Sequence, residues 1–420
     1  MTRSACCFSG LLLALAALVT WRAHCAEDHA PVTNDDAKAL VKSNNTFASV
    51  LFAALAAKDQ DNLFISPYSL STALTMTYTG ARTETEKEMA KVLQFSMPQA
   101  RVPALFADQL AQLQDVPKDN KQQPAYELNI ANRLFAMKGF NFLPEFLTLN
   151  NDSFGAPVEQ VDFLDEPAAR KLINGWVEKQ THDRIKDLIP AGILDNNTRL
   201  VLTNAIYFKG DWEIPFTKEG TRDVPFTLLD GKAVQAPTMH HQAHFKYLET
   251  PALQAIELPY KGGRLAMLVL LPAKTSSVDA LIKDLSAENL SSLATRMAPE
   301  LCNLALPKFK LAWGTKDLVE PLKALGMKLA FNEDHADFSG MTGKKELFIK
   351  YVLHKACVDV DEKGSEAAAA TAVIMAAPTG VAPRPQKVNE MHIDRPFVFM
   401  IRDTTTGQVL FTGRITDPTK

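Results

Sequence analysis

His240, His241 and His244 stand close together in "MHHQAH", and imidazoles at that spacing could chelate a metal ion on a helix. Pro237 before them and "FKYLE" after them predict loop and strand instead, and a zinc site needs three or four converging ligands. No metal is expected. Serine, histidine and aspartate are scattered through the chain without a G-x-S-x-G elbow, an H-E-x-x-H helix, a Walker loop or a G-x-G-x-x-G turn. A hydrolytic triad of the chain's own is therefore not expected.

Another stretch is more informative. Residues 358–386 read "VDVDEKGSEAAAATAVIMAAPTGVAPRPQ". Alternating Val and Asp predict a strand, yet a run of alanines follows Gly364, and alanine favours helix over strand. Read with the period of a strand, Glu366 belongs in water, and Ser365, Ala367, Ala369, Thr371 and Val373 share the opposite face. That face is small at its start and β-branched further on; Ala368, Ala370 and Ala372 lie on the Glu366 side. Such a segment suits two states, an exposed loop and a strand threaded into a crowded sheet.

The elements around it point to an α+β fold. The 420 residues are 46% hydrophobic and 22% charged, enough for a sizeable core. Helices are predicted over 33–58, over 66–81 with Ser66 as cap and Pro67 at the first helical position, over 84–95, and over 168–189. Strands are predicted over 126–137, 199–210, 264–272, 302–312 and 345–362, and a hairpin over 395–415 turns at Thr406-Gly407. No linker separates two cores, so residues 26–420 are read as one domain.

Net charge is −3 with both signs interspersed, which argues against nucleic acid as partner. Arg3, the apolar run "GLLLALAALVT" and "WRAHCA" predict a secretory signal peptide over 1–25, too short in its apolar run for a membrane span. Three of five cysteines leave with it; Cys302 and Cys357 are too few for a disulfide framework. Sequons begin at Asn44, Asn151, Asn196 and Asn289.

Nine blocks in order resemble the serpin family: "NLFISPYSLSTAL", "IANRLF", "INGWVEKQTHDRIKDLI", "LVLTNAIYFKGDWEIPF", "LPKF", "LGMKLAF", "ADFSGMTG", "HKACVDVDEKGSEAAAATA" and "MHIDRPFVFMI". The resemblance covers nearly everything after residue 35. It implies three β-sheets and eight or nine helices, with a metastable, five-stranded largest sheet and an exposed reactive loop over about 364–394. A serine protease attacks that loop, forms an acyl-enzyme, and is trapped as the cut loop inserts as an extra strand. The chain is then a suicide inhibitor and not an enzyme, and catalytic residues belong to its target. The alternative within the family is a non-inhibitory ligand carrier or chaperone.

Residue by residue, the resemblance implies a hinge at Gly364, Ser365, Glu366, Ala367, Ala368, Ala369 and Ala370. Glu362 and Lys308 match an ion pair where the loop joins the sheet, above Trp212. Ser66, Ser69, Asn204 and His354 match a polar cluster under the parting strands; helix capping by Ser66 and a satisfied core histidine explain the same residues structurally. Family spacing from Gly364 puts the cut after Pro378, whereas "AAPT" favours a cut after Thr379, before Gly380. Small residues there fit an elastase-like pocket; Arg384 is followed by Pro385, which blocks a tryptic cut. No cofactor is expected, since "SMPQARVPALFADQLAQLQ" offers Arg101 alone to a sulfated polysaccharide. The expected protein is a secreted monomer (periplasmic or cell-surface in a bacterium) with loop–sheet polymerisation as a liability and no membrane partner.

Overall fold

The computed structural model describes residues 31–118, 123–365 and 387–420. The expected signal peptide, the hinge residues Glu366, Ala367, Ala368, Ala369 and Ala370, and the bond candidates Pro378, Thr379 and Gly380 lie outside these residues.

Helix α1 (Asn34–Ala56) starts at a capping box in which Thr33 and Asp36 satisfy each other's backbone donors. After β1 (Leu63–Ile65) comes α2 (Pro67–Tyr78), capped by Ser66 and entered through Pro67, as the sequence predicts. Every residue of α2 is buried. Its threonines can be tolerated there because they bond back into the helix, Thr72 Oγ1 to the Tyr68 carbonyl at 2.9 Å and Thr75 Oγ1 to that of Ser71 at 2.7 Å. Then follow α3 (Thr83–Val92), α4 (Val102–Gln114), β2 (Tyr126–Met137), α5 (Pro144–Phe154), β3 (Glu159–Val161) and α6 (Glu166–Gln180). The helix predicted to Ile189 stops at Gln180. Thr181 Oγ1 accepts from the Ile185 amide at 3.2 Å, and His182 and Asp183 adopt left-handed φ of 49° and 61°. Ile185, Leu188 and Ile189 still bury their side chains, but from an irregular segment laid on the sheet.

Strands β4 (Leu200–Asp211), β5 (Arg222–Thr227), β6 (Ala233–Glu249), β7 (Leu253–Pro259) and β8 (Leu265–Pro272) lead to α7 (Val278–Asp284) and α8 (Ala287–Arg296). The strand predicted over 302–312 is two, β9 (Ala298–Pro307) and β10 (Phe309–Asp317). Lys308 marks the crossover: its amide bonds the Pro237 carbonyl at 2.7 Å while the strands on either side join different sheets. The chain finishes with α9 (Val319–Leu325), α10 (Ser339–Thr342), β11 (Ile349–Val360), β12 (Gly364–Ser365), β13 (Asn389–His392), β14 (Phe397–Asp403) and β15 (Val409–Ile415).

The α+β architecture is as expected, with ten α-helices among the described residues rather than eight or nine. The excess lies in short turns such as the 4-residue α10. Two hydrogen-bonded networks replace the expected three sheets. One has six strands in the order β10-β11-β12-β4-β2-β3; the other runs β1-β15-β14-β8-β7-β6-β9-β13, with β5 on β6. The merger has a simple cause: 17-residue β6 pairs with β9 over residues 238–247 and with β7 over 246–249, so one strand serves two sheets. The main core fills the space between the networks, and a smaller one, with Ile173, Val177 and Ile189, packs beneath α6 on the other face of the six-stranded sheet. Cys302 and Cys357 are unbridged. Among the described residues no helix is long and apolar enough to cross a membrane.

Candidate functional site

In the six-stranded sheet, β4 and β11 run parallel and pair directly, from Ile349 opposite Leu200 to Cys357 opposite Tyr207. Beyond that point they diverge, and β12 occupies the gap. Gly364 faces Asp211, and Ser365 faces Gly210 on one side and Val360 on the other, antiparallel to both neighbours. The sheet therefore has five long or edge strands and a two-residue wedge of a sixth. Gly364 is required by close approach: a Cβ there would lie 2.0 Å from the Gly210 carbonyl oxygen.

The wedge corrects the expected span of the exposed loop. Gly364 and Ser365, placed in the hinge, are already buried strand, and Asn389–His392, placed at the loop's far end, form β13 on the other sheet. Both ends are strand because backbone partners are at hand, β4 and β11 for one and β9 for the other.

Around the wedge the side chains close tightly. Glu362 is 5% exposed and sits 2.9 Å from Lys308 Nζ through Oε2, while Oε1 accepts from Thr221 Oγ1 at 2.8 Å. Burial pushes its carboxyl upward, but the hydrogen bonds from Lys308 and Thr221 outweigh that and hold it below the usual glutamate range. Trp212 donates its backbone N–H to the Lys363 carbonyl at 2.7 Å and its indole N–H to that of Asp361 at 3.0 Å. Its ring lies flat on Tyr260, centroids 4.6 Å apart, and the Tyr260 hydroxyl meets Ser365 Oγ. Burial pushes the Tyr260 phenol far up, so it stays protonated.

Further down the seam, the structure brings Ser66, Ser69, Asn204 and His354 together. The Ser66 amide donates to His354 Nε2 at 3.2 Å, which leaves the proton on Nδ1 to be donated to Asn204 Oδ1. Asn204 Nδ2 reaches Ser69 Oγ at 2.6 Å and Asn132 Oδ1 at 2.5 Å. Ser66 Oγ both accepts from the Ser69 amide at 3.2 Å, capping α2, and donates to the Leu410 carbonyl at 2.7 Å. Capping and clustering hold together. Burial drives the His354 imidazole down to about 3, so it is neutral. Because His354 is on β11 and Asn204 on β4, facing each other in register, their bond crosses the seam between these two strands.

Asn132, Tyr260 and Thr221 escaped the sequence reading. Asn132 had a signal, since "IANRLF" contains it and the residue is a carboxamide inside an otherwise apolar strand core; register brings it opposite Asn204. The other two are placed by long-range packing alone. His240, His241 and His244 all lie on β6, where residues three apart point to opposite faces, so the helical chelate geometry does not arise.

A sheet with a two-residue strand lodged between two parallel neighbours, beside an ion pair, an indole and buried hydroxyls, is the setting in which the comparisons with known proteins are read. The family described as Serpin (serine protease inhibitor) matches residues 42–418. The chain belongs to the serpin family. It is 39% identical over 394 residues to Serpin B3 of Homo sapiens, covering 90% of this chain and 99% of the relative. It is equally 39% identical over 393 residues to the leukocyte elastase inhibitor of Equus caballus, at the same coverage of 90% and 99%. Among solved structures, Serpin48 of the insect Tenebrio molitor superposes with a TM-score of 0.78 at 31% identity, covering 92% of this chain and 100% of that one. Human thyroxine-binding globulin in complex with thyroxine gives a TM-score of 0.81 at 30% identity, with 91% and 99% covered.

Proposed function

We propose that this serpin is a suicide inhibitor of serine proteases with small, elastase-like specificity pockets. The observation that carries this reading is β12, lodged antiparallel between the ends of two parallel strands that pair directly below it. A protease serine attacks the carbonyl of Pro378 or Thr379; the peptide bond to the following nitrogen breaks, the nitrogen leaves with a proton, and an ester remains. Insertion then continues from Ser365. Each inserted residue replaces part of one parallel ladder by two antiparallel ones, which pair somewhat better per residue. A dozen-residue strand would bring a net gain on the order of ten ladder hydrogen bonds, roughly 5–15 kcal/mol. That is comparable with the whole stability of a domain, about 5–15 kcal/mol, and large enough to drag and distort an attached enzyme.

The hinge composition and the relatives named leukocyte elastase inhibitor support this reading. The likeness to thyroxine-binding globulin supports a second, in which the chain carries a small ligand and does not trap proteases. Mixing the protein with a panel of serine proteases separates them. Complexes that survive SDS are expected with elastase-like enzymes; cleavage without any such complex favours the carrier. We further propose that residues 1–25 direct secretion and are cut off after Cys25, which N-terminal sequencing of the exported protein tests.

A further inference from the structure

We infer that Asn44 is an acceptor for asparagine-linked glycosylation whose modified form cannot fold, and that the chain is made where its sequons stay bare. For a chain that is exported, as proposed above, this leaves only routes without glycan transfer. The sequon Asn44-Asn45-Thr46 is one of four, and the fold treats it unlike the others. A glycan is bulky and hydrophilic, so its acceptor must end on the surface. Asn151, Asn196 and Asn289 do: they are exposed, in the last turn of α5, the turn before β4 and the first turn of α8.

Asn44 does not. It is 1% exposed, on the side of α1 that faces α2, α4 and the turn between β14 and β15. Its Nδ2, the atom that would carry the sugar, donates to Gln408 Oε1 at 3.1 Å and to Gln109 Oε1 at 3.4 Å. Its Oδ1 accepts from Ser71 Oγ at 2.8 Å. Gln109 Nε2 in turn donates to Gln408 Oε1 at 2.9 Å, and Gln408 Nε2 donates to Asn45 Oδ1 at 3.2 Å. A carboxamide nitrogen has two N–H groups, and in Asn44 both are committed.

Glycan transfer replaces one of these N–H groups by a bond to sugar, so a buried carboxamide oxygen loses a donor. The sugar ring would stand where the Gln109 and Gln408 side chains now meet. A satisfied buried network tolerates such an insertion poorly, because each member holds its neighbour. Residues 44, 109 and 408 come from distant parts of the chain, so the same sugar would hold α1, α4 and the β14–β15 turn apart. Burial gives Asn44 no protection, because transfer acts on the extended chain before it folds.

The test sends the full chain, behind a eukaryotic host's own secretory leader, through a glycosylating compartment. Thr46→Ala, which destroys the sequon and keeps Asn44, is sent beside it. That change is mild, since the Thr46 hydroxyl only bonds back to the Lys42 carbonyl at 2.8 Å. Thr46→Ala should reach the medium folded, in about tenfold greater yield than the parent, whose glycosylated molecules are retained and degraded. Mass spectrometry after enzymatic glycan removal should find sugar on Asn44 in the retained parent and only on exposed sequons in the secreted variant. Made in a bacterium without the transferase, the two chains should match in yield and melting midpoint. Equal yields from the eukaryotic host, a secreted parent with sugar on Asn44 and an unchanged midpoint, or the same yield difference in the bacterium would each overturn the inference. Because the host's leader supplies export, none of these outcomes depends on whether residues 1–25 are a signal peptide.

Discussion

The hydroxyls of Tyr260 and Ser365 lie 2.7 Å apart and both residues are fully buried. The first side chain of the wedge thus enters the sheet with its polar atom satisfied, on a phenol held in place by Trp212. Tyr260→Phe leaves Ser365 Oγ buried without this partner, at a cost of about 1–3 kcal/mol. The expected outcome is a lower unfolding midpoint and faster amide exchange at Gly364 and Ser365. An unchanged midpoint would mean that the pair contributes nothing to holding the wedge.

Cleavage inside the loop should raise the melting temperature by tens of degrees, since insertion adds ladder bonds on both sides of a new central strand. Calorimetry before and after limited proteolysis measures it. Equal midpoints would remove the insertion mechanism.

Ser365 points into the core, so in an extended continuation Ala367 and Ala369 point the same way. Ala369→Arg would bury an unpaired charge at a cost of several kcal/mol. The variant should keep the parent's unfolding midpoint when intact yet be turned over as a substrate without forming SDS-stable complexes. Inhibition equal to the parent's would show that residue 369 does not enter the core.

His354 is neutral in the folded protein, with a pKa of about 3 against an ordinary 6.5. A depressed histidine pKa means that the unfolded chain binds the proton first. Its contribution is intact above pH 6.5 and is lost as pH falls towards 3, by up to about 1.4 kcal/mol per pH unit. Protonation at Nε2 also removes the acceptor for the Ser66 amide. Denaturant unfolding from pH 7 to 5, compared with His354→Gln, should show the steeper loss in the parent; parallel curves would place the acid sensitivity elsewhere.

Residues 376–379, "AAPT", offer small groups and no long cation, and no Arg or Lys falls between Lys363 and Arg384. An elastase-like enzyme should be trapped quickly and trypsin negligibly. Mass spectrometry of the released C-terminal peptide locates the bond: a start at Thr379 or Gly380 fits, whereas a start at Pro385 with trypsin trapped does not.

Local signals were readable where local physics decides. Ser66 and Pro67 announced a helix start, and the strand predicted over 126–137 has the bounds of β2. The end of α6 was not readable, because Ile185, Leu188 and Ile189 keep a helical spacing while serving as an irregular cover on the sheet. Nor was the burial of Ser365, which depends on how far β4 and β11 diverge, or Tyr260, 105 residues from it in sequence. Contacts of that range leave no trace in a window of neighbouring residues.

Gly364 has one further consequence. Only a residue without a side chain fits 2.0 Å from the Gly210 oxygen, measured to the Cβ it lacks. A chain displaced by one position would force Lys363 or Ser365 into that place. The alignment of whatever strand grows from β12 is therefore decided before any bond is cut. Phase errors, which in a β-sheet turn every side chain to the wrong face, are excluded at the first step and need no later correction.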